Sequence, residues 1–312
     1  MDKIVTQSDP SRQPRYVGIS TFARLPYYNT LENIDIGIIG IPFDGGCTFR
    51  PGARFGPEAI RKSSRLLRSY NPDQDTYPFL NRQVADMGDI SCTPFNNSTA
   101  VDQIYQGVNE KLSNIKNAIF MGGDHTISYP ILKSINEKYD LSKGITLIHF
   151  DSHMDTWDEY FDEKLTHGTP FKRAFEEDLI NKDTSIHVGI RGSINDKEDF
   201  ARDAEMGFKI IPCADILNIG IDGIVNKIKT RVGDTPCYIS IDIDVVDPAF
   251  APGTGTPECG GFSSLELLTI LKKLKGLNIL GGDIVEVAPS YDSSEITSML
   301  AATITYELIC LL

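Results

Sequence analysis

The chain has 312 residues, of which 41% are hydrophobic, 9% aromatic and 23% charged, ordinary globular usage in a chain long enough to bury a sizeable core. Its 43 acidic against 30 basic residues give a formal net charge of −13, which sets aside nucleic acid and anionic membrane surfaces as main partners and leaves cations welcome. Six cysteines, at 47, 92, 213, 237, 259 and 310, form no CxxC pair and read as free thiols.

The opening "MDKIVTQSDPSRQPRY" has no apolar stretch to serve as a secretory leader, which favours a cytoplasmic or organelle-matrix location. Residues 1–30 read as an N-terminal arm, and residues 31–312 as a single catalytic domain. The first strand is expected at 34–41, "IDIGIIGI", followed by a helix opened by Pro57 in "GPEAIRKSSRLLRSY". Then come a helix at 102–115, a strand at 117–123, a helix at 127–139, a strand at 144–150, a helix at 169–180, and strands at 185–191 and 208–212. A helix at 221–231, a strand at 237–244 and a helix from the capping-box pair Ser263 and Glu266 to a stop at Gly276 follow. A strand at 277–287 precedes a helix at 294–310. The final "ITSMLAATITYELICLL" contains Glu307 and falls short of a membrane span, so it reads as a terminal core helix. Near-continuous apolar strands alternating with helices predict an α/β fold, a mainly parallel sheet covered on both faces in three αβα layers. Ligands of such folds bind beyond the carboxyl ends of the strands.

Polar residues accumulate at those ends. "MGGDHT" (121–126), "HFDSHMD" (149–155) and "SIDIDVVDP" (240–248) each place carboxylates or histidine directly after an apolar run. They supply His125, Asp151, His153, Asp155, Asp242 and Asp244. In "HFDSHMD" the ionisable residues fall on every second position, so an extended backbone turns Asp151, His153 and Asp155 to one side. Four carboxylates brought together repel one another unless cations compensate them, and no lysine or arginine cluster stands in the motifs. Divalent metal ions fill that need. Two imidazoles with four carboxylates and no cysteine favour Mn²⁺ ahead of Zn²⁺. Six ligands exceed the needs of one open-sited metal and suit two ions that share carboxylates and acidify a water between them. His149 and His187 read as satisfied structural histidines, and Asp247 as turn chemistry. Gly122 and Gly123 let the backbone turn tightly into the site.

With "GIPFDGG", "RPGARFGPEAIR", "APGTGTPECGG" and "GGDIVEVAP" added to these motifs, the chain resembles the ureohydrolases, the arginase and agmatinase family, over essentially its whole length. The resemblance implies an arginase-like fold, two Mn²⁺ per subunit, and a homo-oligomer, a hexamer or trimer. It assigns His125 and Asp155 to one metal, His153 and Asp244 to the other, and Asp151 and Asp242 to both. It implies hydrolysis of a guanidino group to urea and an amine, with Asp155 orienting the nucleophile, His167 of "THGTPFKRA" shuttling a proton and Glu286 of "DIVEVAP" gripping the guanidinium. Ser152 replaces an alanine common in relatives, and Cys259 a commoner aliphatic residue; the latter reads as filling space. "RPGARFGPEAIR" is expected to pack a helix and support oligomer contacts.

The segment "TWDEYFDEKLT" (156–166) should form part of the cleft wall, and its Asp158, Glu159, Asp162 and Glu163 would favour a cationic tail, as in agmatine. A solvated charged loop is the competing reading. Agmatine, giving putrescine and urea, is therefore the leading substrate; 4-guanidinobutyrate and 3-guanidinopropionate are the alternative. A zinc deacetylase-type amide hydrolase, which needs one metal, and an inactive oligomeric binding protein are more remote.

Overall fold

The computed structural model describes residues 4–28, 31 and 33–312; residues 1–3, 29 and 30 of the expected arm lie outside the described residues. Eight strands form one sheet: β1 (Ile34–Ile41), β2 (Val84–Asp89), β3 (Ile115–Gly122), β4 (Thr146–Phe150), β5 (Ile186–Val188), β6 (Lys209–Ile211), β7 (Cys237–Asp242) and β8 (Ile279–Val285). They run in the order β2-β1-β3-β8-β7-β4-β5-β6, and every pairing is parallel.

Among the described residues seven α-helices connect them, α1 (Gly56–Ser64), α2 (Asn97–Leu112), α3 (Ser128–Tyr139), α4 (Pro170–Glu176), α5 (Glu198–Glu205), α6 (Asp215–Val232) and α7 (Ser264–Lys273), and α8 (Ile296–Leu311) follows β8. Strand alternation divides the core in two. Ile119 and Met121 of β3 face a cluster with Ile60 of α1, Ile224 and Ile228 of α6, Leu267 and Ile270 of α7, and Ala301 and Ile304 of α8. Ala118 and Phe120 face the other way, onto Ile104 of α2, Ile131 and Ile135 of α3, and Phe171 of α4. The result is the three-layer αβα arrangement expected from the sequence. Helix α8 is a core helix, and no helix among the described residues is long and apolar enough to cross a membrane.

Two elements escaped the sequence reading. Strand β2, "VADMGD", carries acidic residues at its third and sixth positions, and its place at the sheet edge depends on a distant partner: Arg61 of α1 grips Asp86 through Nε (2.8 Å) and Nη2 (3.0 Å) and reaches Asp89 at 2.6 Å. Helix α5, "EDFARDAE", has a weak apolar stripe, and Asp199 and Asp203 are its buried residues. Helix α6 begins at Asp215, ahead of the expected 221, with a break at Gly220, whose φ is +63°. The capping box at Ser263 and Glu266 is formed in both directions. All six cysteines are free. Residues 22–25 belong to the core, with Phe22, Ala23 and Leu25 buried beside β1 and β2. Gln7 Nε2 donates to the carbonyl of Ala23 at 2.9 Å and ties the preceding stretch to them.

Candidate metal centre

The three polar motifs and Glu286 leave the carboxyl ends of β3, β8, β7 and β4, four consecutive strands at the middle of the sheet. Register brings those ends level: Met121 lies beside Ile284, Val285 beside Asp242, and Ile241 beside Phe150. Residues up to 161 positions apart, His125 and Glu286, thereby converge on one site, as the topology of open α/β sheets provides. Close backbone approach is the reason for Gly123: a Cβ there would stand 1.9 Å from the carbonyl oxygen of Phe43 and 2.8 Å from that of Ile41.

His125 anchors one side of the cluster. Its Nε2 lies 2.8 Å from Ser240 Oγ, and Ser240 in turn donates to Asp283 Oδ1 at 2.7 Å. A serine committed as donor to a carboxylate can only accept from the ring, which puts the imidazole hydrogen on Nε2 and leaves the Nδ1 lone pair pointing forward. That Nδ1 is buried without a hydrogen-bond partner, while Asp155 Oδ2 (2.9 Å), Asp151 Oδ2 (3.2 Å) and Asp242 Oδ2 (3.6 Å) crowd around it. On the other side His153 Nδ1 meets Asp244 Oδ2 at 3.1 Å and Asp151 Oδ1 at 3.4 Å. Asp244 Oδ1 accepts from Ser152 Oγ (2.7 Å) and from its backbone N–H (3.1 Å), so Oδ2 is the atom left without a partner. The serine that departs from the commoner alanine thus braces Asp244.

The electrostatics of the cluster favour positive charge within it. Burial, then the neighbouring carboxylates, raise Asp242 and Asp244 well above or above the usual range, and burial with Asp151 beside it lifts Asp155 to about 6. Burial opposes protonation of His125 and His153, yet the surrounding carboxylates hold both well above the ordinary imidazole value. Protons are drawn to the space between the imidazoles and the carboxylates, which is where a divalent cation would replace them. Two donor groups, His125 with His149, Asp151 and Asp155, and Asp151 with His153 and Asp244, have their ligand atoms within 4.8 Å of one another and share Asp151. The residues present therefore fit a pair of divalent ions. His149 is already spoken for, with Nε2 at 2.8 Å from Asp151 Oδ2 and Nδ1 at 2.7 Å from His187.

His167 and Glu286 stand together at the same pocket. Glu286 Oε1 accepts from His167 Nδ1 (2.9 Å) and from the backbone N–H of His125 (2.9 Å), leaving Oε2 buried and unpartnered. Burial would lower the His167 pKa, but the Glu286 carboxylate outweighs it and holds it at about 9. Asp155 (φ +54°) and Glu286 (φ +64°) both sit in the left-handed region, a strain that a glutamate bears at a cost. The sequence reading missed Ser240, Asp283, Thr48 and Asp124. Thr48 Oγ1 lies 2.6 Å from His167 Nε2, and Asp124 accepts from Gly46 N (2.7 Å) and Thr126 N (3.0 Å), tying the 44–48 loop to the site. An aspartate inside the apolar run "ILGGDIV" was the available signal for Asp283.

The cleft beside the cluster has a total empty volume of about 680 Å³, with Met154, Trp157, Ile190, Arg191, Ile194 and Asp199 in its walls. Of "TWDEYFDEKLT", Trp157 lines it, whereas Asp158, Glu159, Asp162 and Glu163 are exposed and absent from the lining, and Asp158 is paired with Arg173 at 2.6 Å. The solvated loop is the reading the structure favours over an acidic rim. Cys259 is exposed rather than packed. Asp247 accepts from the N–H groups of Ala249, Gly260 and Gly261, the turn role expected of it.

Known proteins bear on this geometry. The family model described as the arginase family matches residues 34–310. The chain is 39% identical to guanidinobutyrase of Pseudomonas aeruginosa over 100% of its own length and 98% of that protein. It is 41% identical to an agmatinase of Chromobacterium violaceum over 95% and 89% of the two chains. Proclavaminate amidino hydrolase from Streptomyces clavuligerus superposes with a TM-score of 0.90 at 38% identity, covering 96% of this chain and 98% of that one. Matched along nearly its whole length in both sequence and fold, the chain belongs to the arginase family.

Proposed function

We propose that the chain hydrolyses the guanidino group of a small molecule to urea and an amine, with agmatine, cleaved to putrescine and urea, as the leading substrate. The observation that carries this reading is the convergence of His125, Asp151, His153, Asp155, Asp242 and Asp244 around orphaned donor atoms, with the unpartnered Glu286 Oε2 buried beside His167. His125 and Asp155 would hold one Mn²⁺, His153 and Asp244 the other, and Asp151 and Asp242 both. Bound there, the pair would supply Lewis acidity and lower the pKa of a water. Asp155, whose side chain is one-tenth exposed, accepts a hydrogen from the attacking water and orients it. Glu286 Oε2 takes an N–H of the planar guanidinium. His167, which carries its hydrogen on Nδ1 against Glu286 while Nε2 accepts from the Thr48 N–H, is the group placed to shuttle a proton to the departing amine.

The lining supports agmatine over a guanidino acid. Arg191 is the lining arginine, and its guanidinium is spent on the carbonyls of Gly189, Asp244, Val245, Val246, Glu258 and Cys259. A substrate carboxylate would find no unengaged arginine there, whereas Asp199 in the same wall, paired with Arg202, keeps a carboxylate near the position of a terminal ammonium. The likeness to guanidinobutyrase keeps 4-guanidinobutyrate, with 3-guanidinopropionate, as the second reading. The same proposal carries a cytoplasmic homo-oligomer and the 1–30 arm ahead of one catalytic domain. Urea release by the Mn²⁺-loaded protein from equal concentrations of agmatine, 4-guanidinobutyrate, 3-guanidinopropionate, L-arginine and guanidine tests it. Agmatine should be fastest; preference for a guanidino acid would overturn the substrate, and silence on all five the reaction.

A further inference from the structure

Behind the cluster runs a chain of buried groups that the reaction above does not use. Asp151 Oδ2 lies 2.8 Å from His149 Nε2, His149 Nδ1 lies 2.7 Å from His187 Nδ1, and His187 Nε2 lies 3.1 Å from Asp203 Oδ1. All four residues are fully buried, and none of His149, His187 and Asp203 lines the cleft. Register sets the two rings side by side, since His149 of β4 pairs with His187 of β5, and α5 brings Asp203 up behind them. Phe171 packs against His149 (4.4 Å between centroids) and Phe208 stacks on His187 (4.1 Å), walling the chain off from water. Burying two imidazoles and a second aspartate is a poor way to fill space, because apolar residues would do so without desolvating a charge.

Counting hydrogens shows what the arrangement needs. Three contacts require three protons, and two neutral imidazoles own only two N–H groups. Asp151, a carboxylate, must accept from His149 Nε2. We propose that Asp203 and His187 are positioning residues that act on Asp151 through His149: Asp203 keeps the third proton within the His187–Asp203 pair, His187 donates to His149 Nδ1, and His149 is thereby fixed with its hydrogen on Nε2, facing Asp151. One lone pair of Asp151 Oδ2 is occupied in that way and the backbone N–H of His153 occupies another on Oδ1 at 2.6 Å, which orients the carboxylate toward the two ion positions. The inference rests on the proposed metal pair. Without the His187 donor, His149 Nδ1 loses the partner that holds its ring, and the contact that aims the Asp151 oxygen is loosened.

The test uses the full chain, with Asp203→Asn, His187→Phe and the double variant, and Mn²⁺ as the probe. Folded His187→Phe should bind Mn²⁺ about tenfold or more weakly, Asp203→Asn, whose amide can donate to His187 Nε2 and complete the hydrogen count, should bind within about twofold of the parent, and the double variant should be no weaker than His187→Phe alone. On the unsubstituted, metal-free chain, nitrogen-15 NMR of labelled histidines should find His149 protonated at Nε2 alone and His187 protonated at Nδ1. His149 protonated at Nδ1, or His187→Phe binding within about twofold of a parent that does bind, overturns the relay. A parent that takes up no Mn²⁺ overturns the metal reading instead.

Discussion

Ser240→Ala isolates the support behind His125. The hydroxyl accepts from His125 Nε2 at 2.8 Å and donates to Asp283 Oδ1 at 2.7 Å, and all three residues are fully buried. Asp283 keeps Ser128 and Tyr238 on its other oxygen, so the substitution orphans one carboxylate oxygen and one ring N–H. At about 1–3 kcal/mol for each orphaned buried group, with some relaxation around them, the metal-free protein should lose about 2–4 kcal/mol of stability. The ring also loses the acceptor that fixes its tautomer, which should weaken Mn²⁺ binding about 10- to 100-fold, equivalent to roughly 1.4–2.7 kcal/mol. Denaturant unfolding of the metal-free variant gives the first quantity and Mn²⁺ titration the second. A destabilised variant with parental Mn²⁺ affinity would show that Ser240 only holds the strands together, and the argument from tautomer to ligand would fail.

Asp242→Ala should fold, bind Mn²⁺ at least tenfold more weakly and release no urea; unchanged turnover removes the shared-carboxylate role. Gly123→Ala drives a Cβ into two backbone carbonyls, so it should give little folded protein on expression, and a soluble variant with a parental melting point would contradict the packing argument. The metal-free chain should melt at lower temperature as pH rises from 6.5 to 9. His167 has its folded pKa raised to about 9, with burial opposing and Glu286 prevailing, so its contribution is fully present below the unfolded value and lost as pH climbs through 9. His125 and His153, also raised, add in the same sense. Bound Mn²⁺ should offset the trend, because it binds the deprotonated ligands; a metal-free melting point that rises over this window would contradict it. Neutralising Asp158, Glu159, Asp162 and Glu163 together should change the KM for agmatine by less than about twofold, since none of them lines the cleft.

The motifs "MGGDHT", "HFDSHMD" and "SIDIDVVDP" were legible because each follows a strong apolar run whose carboxyl end parallel topology brings to one edge; the strand alternation expected across 151–155 does not hold, since β4 stops at Phe150 and Asp155 turns back at φ +54°. The layers followed from the same runs. Strand β2 was not legible, because Asp86 and Asp89 weaken its local pattern and are balanced by Arg61, 25 and 28 positions away. Ser240 and Asp283 were hidden for a related reason: a polar residue inside an apolar strand declares that it has a partner, but its partner is fixed only by sheet order. The loop at 156–166 shows the opposite limit. Its charges were plain in the sequence, and whether they faced cleft or solvent depended on Arg173 of α4, which takes Asp158 outward.

Six residues at the carboxyl ends of three strands, β3, β4 and β7, are proposed to hold two divalent ions for guanidino hydrolysis. Urea release from agmatine, measured against the number of Mn²⁺ bound per chain, addresses that proposal most directly. The rate should rise with loading and level off at two Mn²⁺ per chain. Full activity at one Mn²⁺, or no urea at two, would contradict it.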